Sequence, residues 1–123
     1  MSFPLRLEKI YRDLDEIINT YKPDAMSVEE LFFNNNAKTA INVAQARGVI
    51  LVVARINNIP TYEYTPLQVK QAVVGYGRAD KIQVQHMVKA ILKTDKLPKL
   101  DDITDSMAVG ICHAHSAKFA EKL

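Results

Sequence analysis

Apolar residues at Leu7, Ile10, Tyr11, Leu14, Ile17, Ile18 and Tyr21 recur at steps of three and four, the period of a helix with one face on a core. Pro4 stands just ahead of that helix and Pro23-Asp24 stops it. Ala25 to Leu31 continues no such stripe and reads as a short buried strand carrying Glu29 and Glu30, with Phe32 and Phe33 next and a turn at Asn34-Asn35-Asn36. A long helix follows from about Ala37 to Asn57. Its second half, GVILVVA, is apolar on every side, which predicts burial on more than one face: a sheet on one and a second subunit on another. Thr61 to Tyr64 alternates like a short strand. Thr65-Pro66 is an N-cap with proline at the first helical position, opening a helix that runs to about Val74 and ends at Gly75-Tyr76-Gly77. Asp80 and Gln83 have capping-box spacing, and Val84, Met87, Val88 and Ile91 form the expected core stripe of the next helix. After a charged loop from Lys93 to Leu100, a last helix starts near Asp101 or Asp102, with Met107, Ala108, Ile111 and Cys112 facing inward.

Strand, long helix, strand is a crossover unit, so the two strands should be parallel and the crossover right-handed. The fold class is therefore α/β, with two parallel strands and about five helices. Two parallel strands do not make a self-sufficient core, because parallel sheets are normally wider and covered on both faces. The pattern thus predicts further strands that these 123 residues do not contain, or a sheet edge completed by another chain.

The length sets the chain at a single domain, residues 1–123, and 48% apolar with 24% charged residues is an ordinary globular mix. Disordered tails and collagen-like chains are excluded. One cysteine, Cys112, closes no internal disulfide and forms no zinc spacing, which with no export signal leads to a cytoplasmic expectation. No membrane is expected either. The most apolar run, Val49 to Ile56, contains Arg55 and falls short of the roughly 18–20 residues a bilayer needs.

Net charge is only +2, but it is unevenly placed. Residues 68–99 hold seven bases and two acids, whereas residues 1–33 hold four bases and seven acids. Glu29 lies at the carboxyl end of a parallel strand, where open α/β sheets place ligands. Asp105 shares a helix face with Asp102, three residues away, or with Asp101, four away; spacing leaves both open. Acids in a first helical turn are also favoured by the macrodipole alone. Carboxylates from separate elements beside lysines suit a Mg²⁺ site for phosphodiester cleavage, with the lysines neutralising phosphates. No GxxxxGK[ST] or GxGxxG supports nucleotide binding, and His86, His113 and His115 have no metal-ligand spacing.

Together, Ser27-Val28-Glu29-Glu30-Leu31-Phe32, Gln45-Ala46-Arg47-Gly48-Val49, Tyr62-Glu63-Tyr64, the run Gln68 to Gly75 with Gly77 and Lys81, Gln83 to Val88, and Asp102-Ile103-Thr104-Asp105-Ser106-Met107-Ala108 resemble the RuvC family of bacterial Holliday-junction resolvases. The resemblance spans nearly the whole chain. It implies an RNase H-like fold, a homodimer formed through the long helix, partnership with branch-migration motor proteins, and Mg²⁺- or Mn²⁺-dependent symmetric nicking of four-way junction DNA. Carried over residue by residue, it implies Glu29, Asp102 and Asp105 as catalytic metal ligands, which selects Asp102 over Asp101. It implies Phe32 as an aromatic stacking at the junction crossover, and Lys70 and Lys81 as DNA-facing lysines.

The family also carries a D-x-G motif on a first strand, and no D-x-G occurs in this sequence. The resemblance therefore implies an N-terminally truncated domain without the first three strands of a five-stranded sheet. Asp13, Asp15 and Asp24 are not substitutes, since two lie on a helix and one in a turn. The expectation is little or no cleavage, with DNA affinity kept through Lys70 and Lys81. Two alternatives to a resolvase follow: a catalytically inactive DNA-binding or dimerisation fragment, and an assembly in which strand edges pair between chains.

Overall fold

The computed structural model describes residues 1–30, 37–75, 77, 79–98 and 101–121; side chains at 37, 38, 101 and 118–121 fall outside that description. In chain order the elements are α1 (Phe3–Tyr21), β1 (Met26–Glu29), α2 (Ala37–Ile56), β2 (Thr61–Tyr64), α3 (Pro66–Val74), α4 (Lys81–Leu92) and α5 (Asp101–Glu121). The two strands pair with each other. Met26 N–H donates to Pro60 O at 2.9 Å and Glu30 N–H to Tyr64 O at 2.7 Å, so numbering advances together on both strands and they are parallel.

Local chemistry sets the boundaries. Ser2 caps α1 and Pro4 lies inside the first turn, one step later than the sequence suggests, because a proline there sacrifices no helical hydrogen bond. The helix stops at Tyr21, with Lys22 left-handed at φ 48°. Thr65 and Asp80 each form a complete capping box, with Gln68 and Gln83 respectively. Gly75 ends α3 at φ 99°, a conformation open to glycine at no steric cost. At Gly77 a Cβ would come within 2.0 Å of Leu67 Cδ1, so any larger residue would displace that side chain.

The chain falls into two compact units, residues 1–26 with 32–62, and 27–31 with 63–123. In the first, α1 packs on α2 around Ile18, Val53, Ala54 and Ile59, flanked by Tyr11, Leu14, Met26 and Val49. Asn57 donates from Nδ2 to Asp15 Oδ1 at 2.8 Å and to Val53 O at 2.9 Å, tying the end of α2 to α1. Asp13 pairs with Lys9 on the surface of α1 at 2.9 Å. Both helix acids therefore have structural partners.

In the second unit α3, α4 and α5 pack on one another around Val69, Val73, Val84, Val88, Ala108, Val109, Ile111 and Cys112. Val84 and Val88 are buried as their spacing predicts, whereas Met87 stands 37% exposed at the edge of the stripe. His115 Nδ1 donates to Ala72 O at 3.1 Å, an ordinary satisfied histidine.

The long helix α2 packs on α1 and leaves part of its apolar surface exposed in the single chain. Among its described residues only Val53 and Ala54 are enclosed, while Ile41, Val52 and Ile56 are each more than half exposed. Counted over the 18 residues Thr39–Ile56, α2 has mean hydropathy 1.3 and is long and apolar enough to cross a membrane, which the shorter run Val49 to Ile56 conceals. Arg47 and Arg55 lie within that stretch, each costing about 2.5–3.5 kcal/mol at a bilayer centre. Val53 and Ala54 also pack on α1, as in a core helix.

Candidate active site

A cleft of about 300 Å³ opens in the second unit, and its polar lining is Glu29, Lys70, Asp80, Lys81 and Asp105. Four elements position these groups. Glu29 is the last residue of β1, and strand pairing continues past it through the Glu30–Tyr64 bond, which holds the strand end in place. Lys70 projects from α3 on the turn after its capping box, and its neighbour Val69 is buried. Lys81 is the first residue of α4, placed there by the Asp80 cap. Asp105 lies on the second turn of α5, beside the buried Thr104.

The electrostatics of the cleft are set by Glu29. Partial burial pushes its carboxyl up from the ordinary value of 4.5, the facing charge of Asp105 pushes it the same way, and Lys70 opposes both. Two carboxylates lining one partly desolvated cleft repel, and a divalent cation bound there would relieve both penalties. Mg²⁺ commonly takes one or two carboxylates and keeps several waters, so the donor set fits.

Of the carboxylates expected from sequence, Glu29 and Asp105 meet in the cleft. Asp102, one turn earlier on α5, is exposed and is not among the lining residues. No group of three or more His, Cys, Asp or Glu side chains converges as a metal cage among the described residues. Lys70 and Lys81, which the resemblance implied as DNA-facing, both line the cleft. Phe32 lies outside the described residues.

Four polar side chains have positions the sequence did not single out. Asp80, recognised as a helix cap, also lines the cleft. Ser27 Oγ donates to Val109 O on α5 at 2.8 Å. Tyr64 Oη and His113 Nδ1 share a hydrogen bond at 2.6 Å, their rings tilted by 50°. The available signal was spacing. Ser27 is two residues from Glu29 on a strand, and His113 is eight from Asp105 on a helix, so each repeats the face of a candidate acid.

Comparison with known proteins meets this geometry. The family model for the crossover junction endodeoxyribonuclease RuvC matches residues 2–113. The crossover junction endodeoxyribonuclease RuvC of Alkaliphilus oremlandii is 58% identical over 121 residues, covering 98% of this chain and 74% of the relative. That of Clostridioides difficile is 57% identical over 123 residues, covering 100% and 73%. Among solved structures, Thermus thermophilus RuvC matches with a TM-score of 0.90 at 34% identity, covering 98% of this chain and 72% of that one. The same protein in complex with a Holliday junction substrate matches with a TM-score of 0.93, again at 34% identity, over 98% and 73%. The strand-end glutamate, the α5 aspartate and the lysines of the cleft thus sit in a chain that is matched over nearly its whole length to about three quarters of each relative, and it belongs to the RuvC family of crossover junction endodeoxyribonucleases.

Proposed function

We propose that this chain acts as a structure-selective endonuclease that resolves four-way DNA junctions by divalent-metal-dependent symmetric nicking. The observation that carries the reading is the cleft in which Glu29 and Asp105, from different elements, face each other beside Lys70 and Lys81. A relative of the same fold is described with a Holliday junction substrate, which supports junction DNA as the ligand.

The division of labour follows from the side chains. Glu29 and Asp105 would hold Mg²⁺ or Mn²⁺, with Asp102 as a third candidate ligand one turn away on α5. When bound, the ion supplies Lewis acidity at the phosphate and lowers the pKa of water. Lys70 and Lys81 neutralise the phosphates on either side of the scissile bond and bring the backbone down onto the acids. Phe32, three residues beyond Glu29, is proposed to stack on an unpaired base at the crossover.

Symmetric nicking needs two sites, and the apolar stripe of α2 supports a homodimer. Ile41, Val52 and Ile56, with Gly48 between them, align at helical spacing and stand exposed. Branch-migration motor proteins are proposed as partners on family resemblance. A reducing, cytoplasmic setting suits Cys112, a buried free thiol.

The test is incubation of the protein with a labelled four-way junction and Mg²⁺ or Mn²⁺, beside an identically purified Asp102→Asn/Asp105→Asn double variant. Paired symmetric nicks present in the first and lost in the second are the result this reading requires, and they would overturn the expectation of little or no cleavage drawn from the missing D-x-G motif. A mobility shift with no nicks would replace the enzyme reading by a junction-binding module.

A further inference from the structure

The two carboxylates of the cleft sit on elements far apart in sequence, so something must set their separation. Resting on the metal-site reading above, we propose that Ser27 is a positioning residue for the Glu29–Asp105 pair, with the Tyr64–His113 bond as a second brace.

The geometry is that of a ladder. Ser27 and Glu29 are two apart on β1 and share a face, with roughly 6.6 Å between them along the strand. Asp105 and Val109 are four apart on α5 and lie one above the other, roughly 6 Å along the helix axis. Ser27 Oγ reaches Val109 O at 2.8 Å, and Glu29 faces the charge of Asp105 in the same cleft. The two spans match, so the serine forms one rung and the carboxylate pair the other. A slip of α5 along β1 by one residue would break the first rung and misplace the second.

The other brace comes from β2. Tyr64 accepts the Glu30 N–H through its carbonyl oxygen, which locks the residue after Glu29, while its hydroxyl meets His113 on α5 at 2.6 Å. His113 lies one further turn along the stripe from Val109. Both braces therefore join the strands that carry Glu29 to the helix that carries Asp105. Ser27, Tyr64 and His113 are not among the residues that line the cleft, so each acts on the acids through position and is not a catalytic residue.

The experiment compares Ser27→Thr with Ser27→Val, two side chains of the same shape that differ in one hydroxyl. Mn²⁺ binding is measured directly by electron paramagnetic resonance, with Glu29→Gln identifying the signal that belongs to this cleft. Junction affinity without metal, and kcat and KM for nicking across a Mg²⁺ series, are measured in parallel. Ser27→Thr should bind Mn²⁺ like the parent protein. Ser27→Val should weaken the Glu29-dependent binding about tenfold, the low end for groups that orient metal ligands. It should lower kcat at fixed Mg²⁺ and leave KM for the junction unchanged. Tyr64→Phe, which removes only the second brace, should move the same readouts in the same direction, and it carries the test if the valine variant does not fold. Equal Mn²⁺ binding by the threonine, valine and phenylalanine variants would overturn the positioning role. Absence of any Glu29-dependent Mn²⁺ signal would overturn it together with the metal site. A Glu29-dependent signal without nicking would overturn the cleavage reading alone, and the threonine–valine difference would still decide the role of Ser27.

Discussion

At the scale of single residues, Glu29 carries opposed demands of stability and function. Its carboxyl titrates above the ordinary 4.5 because burial and Asp105 both penalise the charge. Between the unfolded value and that raised value the folded chain binds more protons than the unfolded one, so stability falls as pH rises through this window. The penalty is fully present above the folded value and disappears below the unfolded one. Glu29→Gln should therefore raise the melting temperature of the metal-free protein at neutral pH, with the gain vanishing below about pH 4. Added Mg²⁺ should stabilise the parent protein and leave the glutamine variant unmoved, because only the parent retains the paired charge. Differential scanning calorimetry at pH 4 and pH 7.5, with and without Mg²⁺, checks both statements.

Helices and strands carry the next set of expectations. The capping boxes of α3 and α4 each satisfy N–H groups that would otherwise lack helical partners. Thr65→Ala should cost about 1 kcal/mol in a urea titration. Asp80→Ala should cost a similar amount and also impair nicking more than Thr65→Ala does, because Asp80 itself lines the cleft besides starting the helix that delivers Lys81. A greater loss of activity in the second variant than in the first, at matched stability, is the discriminating result. On α2 the exposed stripe makes a different statement. Val52→Glu with Ile56→Glu should convert a dimer to monomer in size-exclusion chromatography with light scattering. The α1–α2 packing around Val53 and Ala54 should survive, because the substituted positions face away from it.

Across the whole molecule the charge asymmetry becomes a prediction about salt. The net charge of +2 says little, but residues 68–99 concentrate the bases, and two of them, Lys70 and Lys81, stand at the cleft. Each lysine that neutralises a phosphate releases counterions. Lys70→Ala should weaken junction binding and reduce the slope of log affinity against log salt by about one. A gel-shift series in salt without metal reads this out, and an unchanged slope would remove Lys70 from the DNA surface. Chelating divalent ions should abolish nicking while leaving the shift in place.

The elements of this chain were largely legible because their signals are local. The Thr65-Pro66 start, the Asp80–Gln83 box and the three-and-four spacing of α1 each lie within a few residues and are set by backbone hydrogen bonding. Glu29, Asp105, Lys70 and Lys81, which line one cleft, were also named as candidates from the sequence, through motif resemblance. Burial was harder to read. The apolarity of α2 permits burial on any side, but which side is covered depends on what packs there, and among its described residues only Val53 and Ala54 are enclosed. Pairings between distant residues were beyond reach. Ser27 and Val109 are 82 residues apart, and Tyr64 and His113 are 49 apart. A serine or histidine is compatible with many surroundings, so no local pattern announces such a contact. Sequence alone thus determined the elements, which are set by neighbouring residues, and named the candidate residues for chemistry through motif resemblance. Tertiary structure decided that Glu29 and Asp105 share a cleft that Asp102 does not line, because the separation of two charges depends on how a strand and a helix pack.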